Sequence, residues 1–219
     1  MGSGIEVYLL IGLLGMIIVS FMHRKVYQVS ALKIVCIMVA LLIVGVAGTL
    51  VLYRIENGEW GGTSFFGSVF LIPIVFFLVA KIIKMPFGKL MDFLTIPVCA
   101  MLAIMKVRCI LGPCCIGKVI YENSKGQFLR FPSQIVEMIV AVIIMVILLY
   151  LERKGGHKGK IYPYFLILYG ATRFVLNWFR YGLTPFVLML PNGNFWSIIA
   201  IILGVLWLLV LSQSHKRKA

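Results

Sequence analysis

The sequence predicts an all-α integral membrane protein with about seven transmembrane helices. Hydrophobic residues make up 62% of the 219 residues, charged residues only 13%, and the mean hydropathy is +1.05. A soluble domain of this length is nearer half apolar, because it must cover its surface with polar groups. The charged residues separate apolar runs of roughly 20 residues, the length that a helix needs to cross a hydrocarbon core about 30 Å thick. A membrane β-barrel would instead alternate polar and apolar positions, which these runs do not do.

Seven apolar runs define the predicted spans of a single transmembrane domain over residues 1–219. The first run has no basic residue before it and no small-residue cleavage site, so we interpret it as a retained helix and not as a signal peptide. No internal repeat or low-complexity segment divides the chain. The predicted helices cover residues 5–22, 31–53, 63–80, 92–105, 134–151, 162–177 and 194–212.

Lysine and arginine are unevenly distributed between alternate connections. Cytoplasmic loops of membrane proteins are enriched in these residues, and the enrichment sets the orientation of the helices. The segments after the first, third, fifth and seventh runs hold most of the 21 basic residues, including Lys216, Arg217 and Lys218 at the end of the chain. This pattern predicts that the N-terminus lies outside and the C-terminus in the cytoplasm. It also accounts for the net charge of +14 without a nucleic-acid partner.

One basic cluster lies on the predicted outer side, against the trend of this rule. The connection over residues 106–133 is the longest interruption between apolar runs, and we predict that it forms an outer-face loop. An excess of cations at a membrane surface suits the binding of anionic lipid head groups. An ordinary solvated loop is the alternative that charge alone leaves open. The basic residues of this connection are Lys106, Arg108, Lys118, Lys125 and Arg130.

Charged residues within the predicted helices indicate a second part of the candidate site. An ionisable residue inside an apolar span is costly, so it needs a partner or a function. Arg173, Asn177 and Arg180 are spaced i, i+4 and i+7 and therefore share one helical face, which ends toward the outer side. A guanidinium can bind a phosphate through two parallel hydrogen bonds. It can also pair with Glu137 near the start of the fifth helix, and a carboxylate can orient an arginine that binds phosphate. Ser133, directly after a proline, is a candidate cap of that helix.

The cysteines and histidines argue against two classes of site. A structural zinc site requires about four ligands in spaced pairs, whereas Cys109, Cys114 and Cys115 have no histidine nearby. A nucleophilic thiol beside Lys106 stays an alternative, because a neighbouring cation lowers the pKa of a thiol. The three histidines fall in predicted inside segments, which disfavours a Ser-His-Asp hydrolase on the outer face. We therefore predict no metal and no cofactor.

Four motifs follow one another along the chain in a family-like order. They are EWGGTSFFG at 59–67, KVRCILGPCCIG at 106–117, RFPSQIVE at 130–137 and YGATRF at 169–174. In sequence and spacing this series resembles the phosphatidylglycerol–prolipoprotein diacylglyceryl transferase family, and especially its divergent members with a Cys-Cys loop. The resemblance covers about residues 40–180. It implies seven helices with an outer N-terminus, in the plasma membrane of a bacterium.

The resemblance also implies an activity and the residues that support it. Members transfer the diacylglyceryl group of phosphatidylglycerol to the lipobox cysteine of a prolipoprotein, forming a thioether. Arg173 matches an essential arginine of the family, and the segment 130–137 matches its Arg-His-Pro-Ser-Gln motif. The departures are Phe66 for a family histidine, Lys106 for arginine, Arg108 for glycine, Cys109 for asparagine, and Cys114 and Asn177 for glutamates.

We predict a membrane transferase whose donor is phosphatidylglycerol or another anionic glycerophospholipid and whose candidate acceptor is a lipobox peptide. A non-catalytic phospholipid-binding protein on the same scaffold is the alternative. A transporter or channel is not favoured, because the chain lacks the paired repeats that are common in those classes. The predicted catalytic residues are Arg173, Arg130, Glu137 and Lys106. The predicted substrate-binding residues are Arg108, Ser133, Gln134, Tyr169, Asn177, Arg180, Ser64 and Gly67.

Overall fold

The computed structural model describes residues 3–112, 115–122, 127–154, 159–181, 185–187 and 190–216. Cys114, Lys125, Arg217 and Lys218 of the sequence analysis lie outside these residues. The described chain forms seven helices and two short antiparallel hairpins, so the predicted all-α class is confirmed. The helices are α1 (Ser3–Tyr27), α2 (Ala31–Asn57), α3 (Phe65–Ile82), α4 (Phe87–Leu111), α5 (Ser133–Arg153), α6 (Ile161–Asn177) and α7 (Asn192–Lys216). The strands are β1 (Val119–Glu122), β2 (Phe128–Arg130), β3 (Pro185–Val187) and β4 (Leu190–Pro191).

Six of the seven helices are long and apolar enough to cross a bilayer. Helix α6 has 17 residues and is the exception among the described helices. It packs against α4, α5 and α7, and its buried residues include Phe165 and Leu166. The chain is therefore a multi-pass membrane protein in which α6 is enclosed by its neighbours.

The connection predicted as an outer-face loop contains helix and strand that the sequence analysis did not predict. Helix α4 continues to Leu111, so Lys106 and Arg108 lie on its last turns and not in a loop. Long basic side chains at the end of a span can extend to the polar surface, which allows the helix to continue past the predicted boundary. The hairpin formed by β1 and β2 then occupies much of the remaining connection.

Helix α4 lies at the centre of the bundle. It packs against α1, α3, α5 and α6, and its half nearer Phe87 is almost continuously buried from Leu90 to Ala100 except at Val98. Apolar side chains from α1, α2, α3, α5 and α6 join α4 in one core cluster. Because lipid offers no hydrophobic driving force between helices, close packing and polar contacts must hold such a bundle together.

Asp92, buried within α4, holds the beginning of α6. Its carboxylate accepts hydrogen bonds from the backbone N–H groups of Gly159, Ile161 and Tyr162, the latter two at 2.9 and 3.3 Å. The N–H groups of Ile161 and Tyr162 are among those that a helix start leaves without intrahelical partners, and a negative charge is favourable at that end. Asp92 therefore fixes the position from which α6 runs toward the candidate site.

Helices α2 and α3 approach each other closely at a pair of glycines. A Cβ atom added to Gly67 would lie 1.9 Å from the carbonyl oxygen of Gly48, and one added to Gly48 would lie 2.6 Å from the carbonyl oxygen of Gly67. Nearby, the Ser68 hydroxyl donates to the carbonyl oxygen of Gly45 at 2.8 Å. Small residues at such crossings allow membrane helices to pack backbone against backbone.

We expect Gly67→Ala to destabilise the protein by about 1–3 kcal/mol, because the added methyl group forces α2 and α3 apart. The matched control is Gly45→Ala, whose methyl group would meet only the Ser68 hydroxyl at an ordinary 3.9 Å. Thermal unfolding in detergent, followed by circular dichroism, should show a lower Tm for Gly67→Ala and little change for Gly45→Ala. Equal Tm values for the two variants would contradict this packing role.

Candidate functional site

A buried carboxylate with three cations forms the centre of the candidate site. Glu137 lies in the second turn of α5, and only 5% of its side chain is exposed. Its Oε1 atom is 2.7 Å from Nη1 of Arg173 and 3.7 Å from Nε of Arg180, while its Oε2 atom contacts Nζ of Lys106. The three cations exceed the single carboxylate by two positive charges. We call these four residues the Glu137 cluster.

The predicted pairing of Arg173 with Glu137 is therefore confirmed. Arg173 approaches from α6, Arg180 from the turn beyond α6, and Lys106 from the last turns of α4. Arg173 and Arg180 both reach Glu137 of α5, but α6 ends at Asn177, so the predicted shared helical face does not extend to Arg180, and Asn177 lies against Gly193 instead. Four of the predicted site residues thus meet at one point.

A small recess opens beside this cluster, between α4, α5 and α6. Glu137, Ala141 and Ile144 follow one stripe of α5, so the lining continues for about 10 Å along the helix at a rise of 1.5 Å per residue. One end of the recess is charged, and the rest is mostly apolar. Its lining residues are Leu102, Lys106, Glu137, Val140, Ala141, Ile144, Tyr169, Thr172, Arg173 and Leu176.

Backbone pairing around a β-bridge between Gly117 and Arg180 holds Arg180 against the cluster. The backbone of Ile116 and Lys118 pairs with the segment after α6, through Tyr181 N–H to Ile116 at 3.0 Å and Lys118 N–H to Phe179 at 2.9 Å. On its other side Lys118 accepts from the N–H of Phe131 at 2.9 Å. A Cβ atom on Gly117 would lie 2.0 Å from the carbonyl oxygen of Phe131, so only glycine fits at position 117.

Cys115 reaches the same site from the segment that precedes the β-bridge of Gly117 with Arg180. Its Sγ atom is 4.0 Å from Nζ of Lys106 and 3.9 Å from Sγ of Cys109, and its backbone adopts a left-handed conformation with φ of 57°. The hydrogen bond with Cys109 and the cations Lys106 and Arg180 lower the pKa of the Cys115 thiol to about 5, against the opposing effect of burial. The sequence left a thiol near Lys106 as an open alternative, and among the described cysteines Cys115 makes this contact.

Other predicted residues lie around the site and not within the Glu137 cluster. The guanidinium of Arg130 lies over the ring of Tyr181 at 5.3 Å, and its Nη1 donates to the carbonyl oxygen of Gly117 at 3.4 Å. Ser133 is buried and donates to the carbonyl oxygen of Phe131, so it begins α5 without capping it, because Pro132 occupies the cap position. Arg108 and Gln134 are both half-buried near the cluster end of their helices.

The remaining predicted residues make contacts between segments of the bundle or line the recess. Ser64 donates to the carboxylate of Glu56 at 3.0 Å, and Gly67 lies at the contact between α2 and α3. Tyr169 lines the recess, and its ring stacks on Phe165. Asn177 is buried against Gly193, and no hydrogen bond reaches its side-chain amide from the described residues. The roles predicted for these residues stay predictions.

Thr172 and the apolar stripe of α5 line the recess, and the sequence analysis did not select them. The Thr172 hydroxyl donates to the carbonyl oxygen of Leu168 at 2.8 Å, which is ordinary for a threonine within a helix. Val140, Ala141 and Ile144 are spaced three, four and seven residues after Glu137. This spacing could have revealed them from the sequence, because it places all three on the helix face that carries Glu137.

Comparison with known proteins places the chain in a family. A family model described as prolipoprotein diacylglyceryl transferase matches residues 2–210. The chain belongs to this family. The resemblance inferred from the four motifs is thereby confirmed.

Individual members of the family are moderately similar to the chain. The phosphatidylglycerol–prolipoprotein diacylglyceryl transferase of Tropheryma whipplei (strain Twist) is 32% identical over 163 residues, which cover 67% of this chain and 60% of that protein. The enzyme of the same name from Clostridium tetani is 25% identical over 154 residues, covering 66% of this chain and 62% of its own length. The enzyme of that name from Ehrlichia ruminantium (strain Welgevonden) is 25% identical over 173 residues, covering 71% of this chain and 66% of its own length. The chain therefore spans about three fifths of the length of such relatives.

We expect alkylation of Cys115 by neutral iodoacetamide to be half-maximal near pH 5 and nearly constant from about pH 6 to 8. The thiolate is the reactive form, and the lowered pKa keeps it populated over that range. Mass spectrometry of the modified peptide measures the rate at Cys115 separately from Cys114, and Cys115→Ser confirms the assignment.

A rate at Cys115 that rises tenfold per pH unit between about pH 6 and 8 would contradict this, because that is the behaviour of an ordinary thiol. Cys99, which is buried in α4, is the internal control and should stay unmodified in the folded protein.

Proposed function

We propose that the chain is a membrane transferase that takes the diacylglyceryl group from phosphatidylglycerol or a related anionic glycerophospholipid. The observation that carries this proposal is the Glu137 cluster, with its surplus of positive charge, at the head of an apolar recess. A phospholipid has the matching form, a negatively charged phosphate followed by acyl chains. The names of the family and of its members support the same donor.

In this proposal Lys106, Arg173 and Arg180 bind the phosphate of the donor. Arginine suits this role, because its planar fork can donate two parallel hydrogen bonds to phosphate oxygens. The diacylglyceryl part then extends along Ala141 and Ile144 into the apolar half of the recess. Glu137 is a positioning residue that holds the cations at the start of the recess. Arg130, Arg108, Ser133 and Gln134 surround this position as further candidate contacts for the head group.

The transfer is a displacement at the carbon that joins the diacylglyceryl group to the phosphate. The acceptor sulfur forms a bond to this carbon, the carbon–oxygen bond breaks, and glycerol phosphate leaves with the electron pair. The charge on the phosphate grows from one to two as it leaves. Fixed cations stabilise the product charge more than the starting charge, so they lower the barrier and do not merely bind the donor.

Cys115 supplies a place for the proton of the acceptor thiol. As a thiolate beside Lys106, it reduces the positive surplus of the site from two charges to one, which matches the single charge of the donor phosphate. When the leaving group gains its second charge, the proton affinity of the neighbouring thiolate rises. A proton moving to Cys115 restores the surplus of two and matches the dianionic leaving group.

The proposed acceptor is the lipobox cysteine of a prolipoprotein. This follows the names of the relatives, which mention prolipoprotein and diacylglyceryl transfer. We also propose that the chain lies in the plasma membrane of a bacterium with the Glu137 cluster toward the outside. The distribution of lysine and arginine along the sequence supports that orientation.

We expect Arg173→Ala to lower kcat by on the order of 10²–10³, the usual effect of removing one donor from a charge-stabilising site. Arg173→Lys should recover part of the loss, since it keeps the charge without the planar fork. The measurement is the release of labelled glycerol phosphate when the purified protein is incubated with phosphatidylglycerol and a lipobox peptide.

The matched control is Arg54→Ala, which removes an exposed arginine whose guanidinium lies over the Trp60 ring and does not contact the Glu137 cluster. Its turnover should equal that of the unaltered protein. Retention of intact phosphatidylglycerol in native mass spectrometry, with no turnover under any condition, would instead indicate the non-catalytic lipid-binding alternative.

A further inference from the structure

The β1–β2 hairpin carries a group of large apolar side chains that the protein leaves uncovered. Ile120, Tyr121 and Leu129 are each 61% exposed, and Phe128 is 55% exposed. Every residue of the two strands is exposed, so the hairpin has no core of its own. Clustered apolar side chains of this kind mark a surface that another molecule covers.

The apolar side chains occupy both faces of the hairpin. The register pairs Tyr121 with Leu129 and Glu122 with Phe128. Directly paired residues share a face and successive residues alternate, so Tyr121 and Leu129 lie on one face and Phe128 on the other. A protein that docks on one face leaves the other face in water, whereas the head-group layer of a bilayer surrounds both. We propose that the β1–β2 hairpin lies in the head-group layer, with both faces in contact with anionic phospholipid.

The connections of the hairpin keep it close to the bilayer. Only Phe131 and Pro132 separate β2 from the start of α5. Strands of three or four residues extend about 13 Å at most, and the head-group layer begins directly beyond the hydrocarbon core. The ring of Phe131 stacks on Phe179 at 4.8 Å, which fixes the base of the hairpin beside the end of α6.

The surroundings of the hairpin have the composition of a membrane interface. Lys118 and Arg130 are exposed at its base, and Trp178 and Tyr181 are exposed beside them. Aromatic side chains concentrate where a protein crosses the head-group layer. Basic residues at the same depth attract anionic lipids.

This placement brings anionic lipid to the Glu137 cluster. Gly117, which directly precedes Lys118 and the hairpin, forms a β-bridge with Arg180, a member of the cluster. A phospholipid held at the base of the hairpin therefore has its phosphate beside the cations. The hairpin concentrates anionic phospholipid at this position whether or not the chain converts it, so the inference does not depend on the proposed activity.

Photo-crosslinking tests the inference directly. The photoreactive residue p-benzoylphenylalanine is introduced in place of Tyr121 in one variant and Phe128 in another, so that each face of the hairpin is sampled. Both full-length variants are placed in vesicles of equal parts phosphatidylglycerol and phosphatidylcholine and irradiated. The matched control carries the same residue in place of Ile143, which is 50% exposed on the membrane-spanning surface of α5.

We expect lipid adducts at both hairpin positions and at the control, with phosphatidylglycerol adducts outnumbering phosphatidylcholine adducts at least twofold at the hairpin. At Ile143 the two adducts should be equal. Adding Lys118→Gln to either hairpin variant should reduce the preference for phosphatidylglycerol. Lipid adducts at Ile143 but at neither hairpin position, adducts at one face only, or crosslinks to protein in place of lipid would each overturn the proposal.

Discussion

The contact of Glu137 with three cations is the interaction on which the rest of the site depends. It joins α5 to the end of α4, to the second half of α6 and to the turn beyond α6 at one buried point. Removing such ions from water costs several kcal/mol each, and only close and complementary contacts offset that cost. Breaking a buried pair by removing one member therefore costs about 3–5 kcal/mol, because the other charge is left without compensation. The position of each cation is tied to this carboxylate.

The same contact leaves the site receptive to an anion. A single carboxylate shared by three cations stabilises their placement without neutralising them. Had the chain supplied three carboxylates, the cluster would be neutral and a lipid phosphate would gain little by binding. With one, the cluster keeps a positive surplus beside an apolar recess, and in the proposed function the donor phosphate offsets part of that surplus. The helix packing that stabilises the fold thus also sets the charge available for chemistry.

The sequence revealed the parts of this arrangement that are expensive in a membrane. Arg173 and Glu137 stand out because charged residues within apolar spans need partners, and helical spacing added Arg180. The family resemblance drew attention to Lys106, but its place on α4 was missed because basic residues at a span end resemble a loop. Cys115 could not be assigned, since three cysteines lie within seven residues and their spacing alone does not show that Cys115 meets Lys106. The β1–β2 hairpin was missed because strands of three and four residues are too short to show alternation.

The length of α6 explains why a membrane helix begins and ends beside buried carboxylates. Its 17 residues extend about 25 Å, less than the roughly 30 Å of the hydrocarbon core, and its first three residues are buried. Unpaired backbone groups are costly there. Asp92 accepts hydrogen bonds from the N–H groups at the beginning of α6. Beyond the end of α6, the backbone pairs with Ile116 and Lys118. These contacts support α6 on both sides of Arg173. A short helix supported at both ends therefore carries Arg173 as a preorganised cation, which the proposed binding of a donor phosphate requires.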